Sequence, residues 1–265
     1  MDLSRRLAKV ADLVLPAVTI ADVGCDHGYL SVYLVQSKRC ERVIAMDINK
    51  GPLQKARENI LRYGCGDYIE TRLSDGLRKL NRGEAQGCVC AGMGGPLALQ
   101  ILWNDRDKVK DMAQVILQPQ SELWLVRRTL KKWGFVVEKE DMEFEDGKYY
   151  FMMRIRPGNN LCMDDPPDEK DSLFGTCLDD ETEESVMSEE CIANAAYEVF
   201  SKELLEVRHP LLKEFILKEK KRLTEVYEAL CGQEDSVKCR KRKKHIETEL
   251  AVCGFALGLY EEKKR

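Results

Sequence analysis

The chain reads as an α/β protein: a seven-stranded, mostly parallel sheet ending in an antiparallel hairpin, followed by a C-terminal α-helical hairpin. Three observations predict this. Strand and helix patterns alternate through the first 156 residues. Two longer strand patterns then flank Glu145-Asp146-Gly147, a tight turn that forces antiparallel pairing. Beyond an acidic stretch, apolar residues recur at helical spacing almost to the last residue.

Taken in order, Leu3 to Leu15 is an amphipathic helix with Leu3, Leu7, Val10, Ala11 and Val14 on one face, and Pro16 stops it. Residues 19–23 and 42–47 are the first two strands, with a helical run from Leu30 to Val35 between them. Asn49 caps a helix from Pro52 to Tyr63, and Gly64 closes it. Ile69 to Leu73 is a strand, Ser74-Asp75-Gly76 a turn, and Leu77 to Leu80 a short helix. Gly87 to Ala91 is the fourth strand, followed by Gly92-Met93-Gly94-Gly95 and a helix from Pro96 to Leu102. Gln114 to Leu117 is the fifth strand, broken by Pro119; Glu122 to Lys132 is helical and ends at Gly134. Phe135 to Glu143 and Lys148 to Arg156 form the hairpin.

Three segments follow: a sheet domain over 1–158, an acidic flexible insert over 159–190 and a helical hairpin over 191–265. The insert is rich in acid and proline and poor in large apolar residues. In the hairpin, Leu212, Ile216, Leu223, Val226 and Leu230 make one stripe. Ile246, Leu250, Cys253, Leu257 and Tyr260 make another at coiled-coil spacing, and Gly232 to Ser236 turns the chain between them.

The formal net charge of −4 hides a segregation. Residues 1–159 carry 25 basic and 21 acidic groups, 160–190 carry 1 and 12, and 191–265 carry 16 and 13. Acid sits in the insert, so the mild overall acidity does not exclude a polyanionic partner. No apolar run is long enough to span a membrane, and the N-terminus lacks a signal-peptide core. The 11 cysteines are scattered without a CxxC, which points to buried thiols, a cytoplasmic location and no metal site; Cys88 and Cys90 read as core.

The loop Ala21-Asp-Val-Gly-Cys-Asp-His-Gly-Tyr-Leu30 joins the first strand to a helix, the geometry that brings backbone amides to a nucleotide-like ligand. Its spacing departs from G-x-G-x-x-G: Asp26 stands where a dinucleotide loop keeps glycine, and a carboxylate there repels a pyrophosphate. The sulfonium and amino group of S-adenosylmethionine are cationic and favour it. Asp47 ends the second strand, where an acid accepts from ribose hydroxyls. Asp75 follows the third strand, where a carboxylate accepts from an adenine amino group, and Gly92 follows the fourth. All four loops lie at the carboxyl ends of strands, where open α/β sheets bind ligands.

The parallel sheet with its terminal hairpin is Rossmann-like and similar to the seven-stranded class I methyltransferase fold. Residues 2–156 resemble the bacterial tRNA (adenine(22)-N1)-methyltransferase family in the loop above, in Arg72-Leu-Ser-Asp-Gly-Leu77, in Ala91-Gly-Met-Gly-Gly95 and in Ile116-Leu-Gln-Pro-Gln120. The helices near 205–262 are similar to that family's C-terminal coiled coil. The resemblance implies S-adenosylmethionine as methyl donor and tRNA as substrate. It implies cofactor contacts at Gly24, His27, Asp47, Ile48, Asp75 and Gly92, with Gly28, Gly76 and Met93 beside them in the same loops.

Adenine N1 has an in-plane lone pair and no proton, so it attacks a methyl carbon without a strong base, and the product ring is cationic. Asp26 is the candidate carboxylate beside the base or the sulfonium, or else a shaper of the turn; Tyr29 is a candidate stacking residue, or else core. Gly92 to Gly95 carry no side chain to hold an exocyclic amino group, which suits a ring nitrogen as acceptor. Gln118 and Gln120 either read the base edge or brace the loop. Phosphate affinity is expected from Lys238, Arg240, Lys241, Arg242, Lys243 and Lys244, and from Arg5 and Arg6 on the first helix, with Lys9 beside them. A monomer or weak dimer is expected. The residues leave open a methyltransferase of another RNA or a small molecule, or a cofactor-binding RNA module without turnover.

Overall fold

The computed structural model describes residues 3–168, 188–232 and 236–261. The chain divides into two compact units, Met1–Glu169 and Lys170–Arg265.

The first unit holds α1 (Arg5–Leu13), β1 (Ala17–Val23), α2 (Tyr29–Gln36), β2 (Cys40–Asp47), α3 (Lys50–Arg62), β3 (Ile69–Leu73) and β4 (Gly87–Met93). It continues with α4 (Gly95–Asn104), α5 (Arg106–Val109), β5 (Gln114–Pro119), α6 (Leu123–Trp133), β6 (Phe135–Glu145) and β7 (Lys148–Pro157). The seven strands form one sheet in the order β3-β2-β1-β4-β5-β7-β6. β1 to β5 pair in parallel, and β7 runs antiparallel to both neighbours. The strand order reverses between β1 and β4, which opens a crevice at their carboxyl ends.

Alternation along the strands feeds two cores. Cys88, Cys90, Val115, Leu117, Met153 and Ile155 pack on one face with residues of α4 and α6. Val89, Ile116 and Met152 pack on the other with residues of α1, α2 and α3. Arg127 of α6 is buried against Glu140 of β6 in a two-pronged ion pair, with Arg127 Nη2 at 2.8 Å from Glu140 Oε2, and lies over the Phe151 ring.

Two expectations change, and one element appears that the sequence did not signal. Leu77 to Leu80 is a run of turns rather than a helix. Gly76 there has a left-handed φ of 58°, and the Ser74 hydroxyl takes the Lys79 amide while donating to the Gly76 carbonyl. The single turn α5 carried no periodic signal. The segment from residue 160, expected to be flexible, starts out packed: Met163 is fully buried and Trp133 Nε1 donates to the Asp165 carbonyl at 3.0 Å. The acidic run from 169 to 187 lies outside the described residues.

The second unit has α7 (Glu189–Phe200), α8 (Lys202–Glu206), α9 (Pro210–Cys231) and α10 (Val237–Glu261). α9 and α10 are antiparallel: Tyr260 Oη donates to the His209 carbonyl at 3.0 Å, and Tyr227 Oη to Glu247 Oε1 at 2.6 Å. Leu212, Ile216 and Leu223 of the first stripe are buried, as are Ile246 and Cys253 of the second. α10 also buries Val252 and Ala256, and α7 packs along it, with Tyr197 edge-on to Phe255 at 6.3 Å. A third helix therefore shares the apolar surface expected of a two-stranded pair.

Candidate active site

β1 delivers the chain to Gly24, whose amide, with that of Cys25, donates to the Met46 carbonyl of β2 at 2.8 and 2.9 Å. The backbone is then left-handed at Gly24 (φ 72°), Asp26 (49°) and Gly28 (72°). Gly28 is demanded twice over. Besides its φ, a Cβ there would sit 3.1 Å from Ala56 Cβ and 3.3 Å from Ala56 Cα on α3. Asn59 of α3 donates to the His27 carbonyl at 3.0 Å, and Tyr29 begins α2. The loop is thus fixed by backbone bonds and by α3 before any ligand contributes.

Three carboxylates surround it. Asp22 is buried, takes a 2.5 Å hydrogen bond from the Ser31 hydroxyl, and has its pKa pushed up to about 6 by burial. Asp47, also buried, accepts the Asn49 amide at 2.7 Å and the Asp26 amide at 3.3 Å. Asp26 is exposed, with Oδ1 at 3.5 Å from His27 Nε2. Burial, then Asp22, Asp47 and Asp26 in turn, push the Cys25 thiol well above the usual range, so it stays protonated.

A cavity of about 340 Å³ opens over this loop. Asp22, Gly24, Cys25, Asp26, His27, Tyr29 and Leu30 line one side; Ala91, Gly92, Gln120, Arg6 and Leu7 line the rest. The His27 and Tyr29 rings stack with centroids 6.0 Å apart and planes 27° from parallel. Tyr29 is 39% exposed, so it is not core. Gly92 is left-handed (φ 81°), and a Cβ on it would lie 3.8 Å from Gln120 Nε2 and 3.9 Å from Arg6 Nη1. Arg6 Nη1 donates to Gln118 Oε1 at 2.6 Å, and the guanidinium sits 5.4 Å from the Tyr150 ring centroid.

Of the residues singled out in the sequence, Gly24, Asp26, His27, Tyr29, Gly92 and Arg6 therefore line one cavity. Met93 adjoins it, since a Cβ on Gly24 would lie 3.4 Å from Met93 Cε. Gly28, Asp47, Ile48, Asp75 and Gly76 do not line the cavity. Ile48 is exposed at the end of β2, and Asp75 follows β3 with Arg78 Nη1 at 3.2 Å. Arg5 is paired with Glu143 at 3.7 Å, its amide donates to Glu145, and Lys9 is paired with Asp141 at 3.0 Å. Lys238, Arg240, Lys241 and Arg242 are exposed on the first turns of α10, with Lys243 and Lys244 half-buried. Ser236 caps that helix by accepting the Cys239 amide.

Sequence reasoning missed Asp22 as a cavity residue, because an acid inside an apolar strand reads as a strand-end polar group. It also missed that Arg6 faces the cavity. The place of Arg6 beside Leu7 on an amphipathic helix was the available signal, yet the partner strands were unknown.

S-adenosylmethionine fits this donor set. The glycine backbones at 24 and 92 leave room where a side chain would intrude, and the buried acid Asp22 calls for a cation at the cavity wall. A pyrophosphate would face Asp22 and Asp26. Among the described residues no group of three or more His, Cys, Asp or Glu is arranged to hold a metal ion, and no helix is long and apolar enough to cross a membrane.

A family model described as a methyltransferase domain matches residues 3–153. The tRNA (adenine(22)-N(1))-methyltransferase of Bacillus subtilis strain 168 is 34% identical over 159 residues, 60% of this chain and 67% of that protein. The crystal structure of the B. subtilis m1A22 tRNA methyltransferase TrmK is similar at a TM-score of 0.76 and 25% identity, covering 96% of this chain and 98% of that one. Streptococcus pneumoniae Sp1610, solved in complex with S-adenosyl-L-methionine, has a TM-score of 0.75 at 24% identity, covering 97% of this chain and all of that one, and speaks to the fold. With the matched domain spanning more than half its length, the chain belongs to the methyltransferase-domain family and, within it, to the tRNA (adenine(22)-N1)-methyltransferases.

Proposed function

We propose that this protein methylates N1 of adenosine 22 in tRNA, with S-adenosylmethionine as donor. The observation that carries the reading is the cavity in which the acid-rich loop of β1 meets the bare backbone of Gly92. When bound, the cofactor supplies an electrophilic methyl group. The chain's own residues do the rest. Gly24 and Gly92 admit it, while Asp22 offers charge complementary to its cationic groups. Asp47 stands at the end of β2 for the ribose and Asp75 at the end of β3 for the adenine amino group.

The acceptor base must leave its stack to reach this depth. The stacked His27 and Tyr29 rings provide an aromatic face for it. No general base is needed, because N1 carries a free lone pair. Asp26, exposed on the cavity rim, lowers the energy of the positive charge that grows on the ring. The Gly92 and Met93 backbone can approach the base edge closely, since no side chain intervenes at Gly92. Lys238, Arg240, Lys241, Arg242, Lys243 and Lys244 supply phosphate contacts elsewhere on the tRNA. We place the enzyme in the cytoplasm as a monomer or weak dimer.

The test is incubation of unmodified tRNA with the protein and labelled S-adenosylmethionine, then nuclease digestion and mass mapping. Label on N1 of adenosine 22 is expected; label on another atom or nucleotide overturns the substrate assignment. Cofactor binding without any transfer would favour a non-catalytic RNA module. Changing Lys241, Arg242, Lys243 and Lys244 together to Gln should raise KM for tRNA at least tenfold and flatten its salt dependence. An unchanged salt dependence would remove that helix from the RNA contact.

A further inference from the structure

Arg6 is the one cation of α1 without a carboxylate partner among the described residues. Arg5 and Lys9, on the same helix, are paired with Glu143 and Asp141. Arg6 instead turns into the cavity and is held from two sides: the fully buried Gln118 accepts from Nη1 at 2.6 Å, and the Tyr150 ring lies under the guanidinium. A guanidinium carries several N–H donors, and this one spends a single one on the protein. A half-buried cation fixed in place, lining a cavity and with no carboxylate in ion-pair contact among the described residues, is complementary to an anion that arrives with a ligand.

Topology says which ligand. The loops that suit the cofactor follow β1, β2, β3 and β4. Gln118 and Tyr150 belong to β5 and β7, which lie on the other side of β4 in the sheet. Arg6 is therefore anchored over the acceptor half of the crevice. Charge separates its role further. A guanidinium beside N1 would oppose the positive charge that methylation creates, so its place is at the phosphate end of the nucleotide, with Asp26 at the base end.

We propose that Arg6 clamps a backbone phosphate of the target nucleotide at the mouth of the cavity, and that Gln118 and Tyr150 are positioning residues for it. This deepens the tRNA reading and rests on it. The clamp would hold the nucleotide by its phosphate while the base enters, which is how orientation is gained without a base-specific side chain.

The experiment uses the full-length protein with Arg6→Ala, Arg6→Lys and Gln118→Ala. Equilibrium binding of S-adenosylmethionine and of tRNA is measured separately over a range of salt, followed by kcat and KM for tRNA. Arg6→Ala should weaken tRNA binding roughly tenfold to a hundredfold. It should lower the salt slope by about one and leave cofactor affinity within about twofold. Arg6→Lys should recover the salt slope, while Gln118→Ala should keep the slope and lose part of kcat. Retained cofactor affinity shows that the variant is folded. Loss of cofactor affinity with tRNA binding intact would overturn the proposal and assign Arg6 to the cofactor's carboxylate; an unchanged salt slope would overturn it outright. If wild-type protein bound tRNA but made no N1-methyladenosine, the reaction assignment would fail while the binding arms still decided the clamp.

Discussion

A carboxylate buried as deeply as Asp22 holds its proton more tightly, and its pKa rises from an ordinary value to about 6. The sign of the consequence is fixed. Between the unfolded value and 6, the folded state holds a proton that the unfolded chain has lost, so stability falls as pH rises through that window. Above it the full cost remains, of order 3 kcal/mol. Asp22→Asn, which still accepts from Ser31, should be more stable than wild type by about 1–3 kcal/mol at pH 8, with the gain shrinking toward zero near pH 4. Denaturant titrations at the two pH values check this; an equal effect at both would show that the charge of Asp22 carries no cost. At this scale Asp26, His27 and Gly92 were legible in the sequence as loop residues at strand ends. The neighbours of Asp22 and Arg6 were not, because Ser31 is 9 residues from Asp22 and Gln118 is 112 from Arg6. Only the fold brings such pairs together.

Gly28, in the loop between β1 and α2, and Gly64, after α3, are glycines for separable reasons. Gly28 has a left-handed φ and also faces Ala56 at contact distance, whereas Gly64, with a φ of 68°, would carry a Cβ into open space. Gly64→Ala should therefore cost about 1 kcal/mol, the backbone cost alone. Gly28→Ala should cost about 2–4 kcal/mol, because α3 must move as well, and should weaken cofactor binding through His27 and Tyr29. Thermal denaturation of both variants checks the contrast; equal shifts would mean that α3 yields freely. Elements were legible where periodicity and capping agree: Pro16 after α1, Gly134 after α6 and Asp146-Gly147 between β6 and β7 stand where expected. They were illegible where a tertiary contact decides. Met163 is apolar but isolated among acids and prolines, and it is buried in the core cluster that also holds Trp133, which no local pattern reveals.

For the molecule as a whole, the division into a sheet unit and a helical unit was readable from the switch in period and from the acid between them. The extra helix α7 was not, since its apolar positions match no heptad and are satisfied by tertiary contacts, with α10 along its length and with Phe215 of α9 at Phe200. In the sheet unit, α1 is attached mostly to the far end of its sequence. The Arg5 amide donates to Glu145 at 2.7 Å, Lys9 pairs with Asp141, and Arg154 donates to the Leu13 carbonyl at 3.0 Å. The Arg5 bond is exposed and the other two are only part-buried, whereas β1 and β4 are interior strands. Native-state hydrogen exchange should show α1 amides opening at lower free energy than those of β1 and β4. Indistinguishable values would mean that α1 and the sheet unfold as one.

That attachment also sets an order of events during synthesis. The residues of α1 leave the ribosome well before the β6–β7 hairpin, and Arg5 must wait for a partner 140 residues later. At ordinary translation rates the delay is on the order of ten seconds. Closing so long a loop adds only modest entropy, because the cost grows with the logarithm of length. The burden is one of time: until the β6–β7 hairpin emerges, α1 can rest its apolar stripe on α2 and the central strands but lacks its bonds to Glu145, Asp141 and Arg154, and the acceptor wall of the cavity is the last part of the sheet unit to be built.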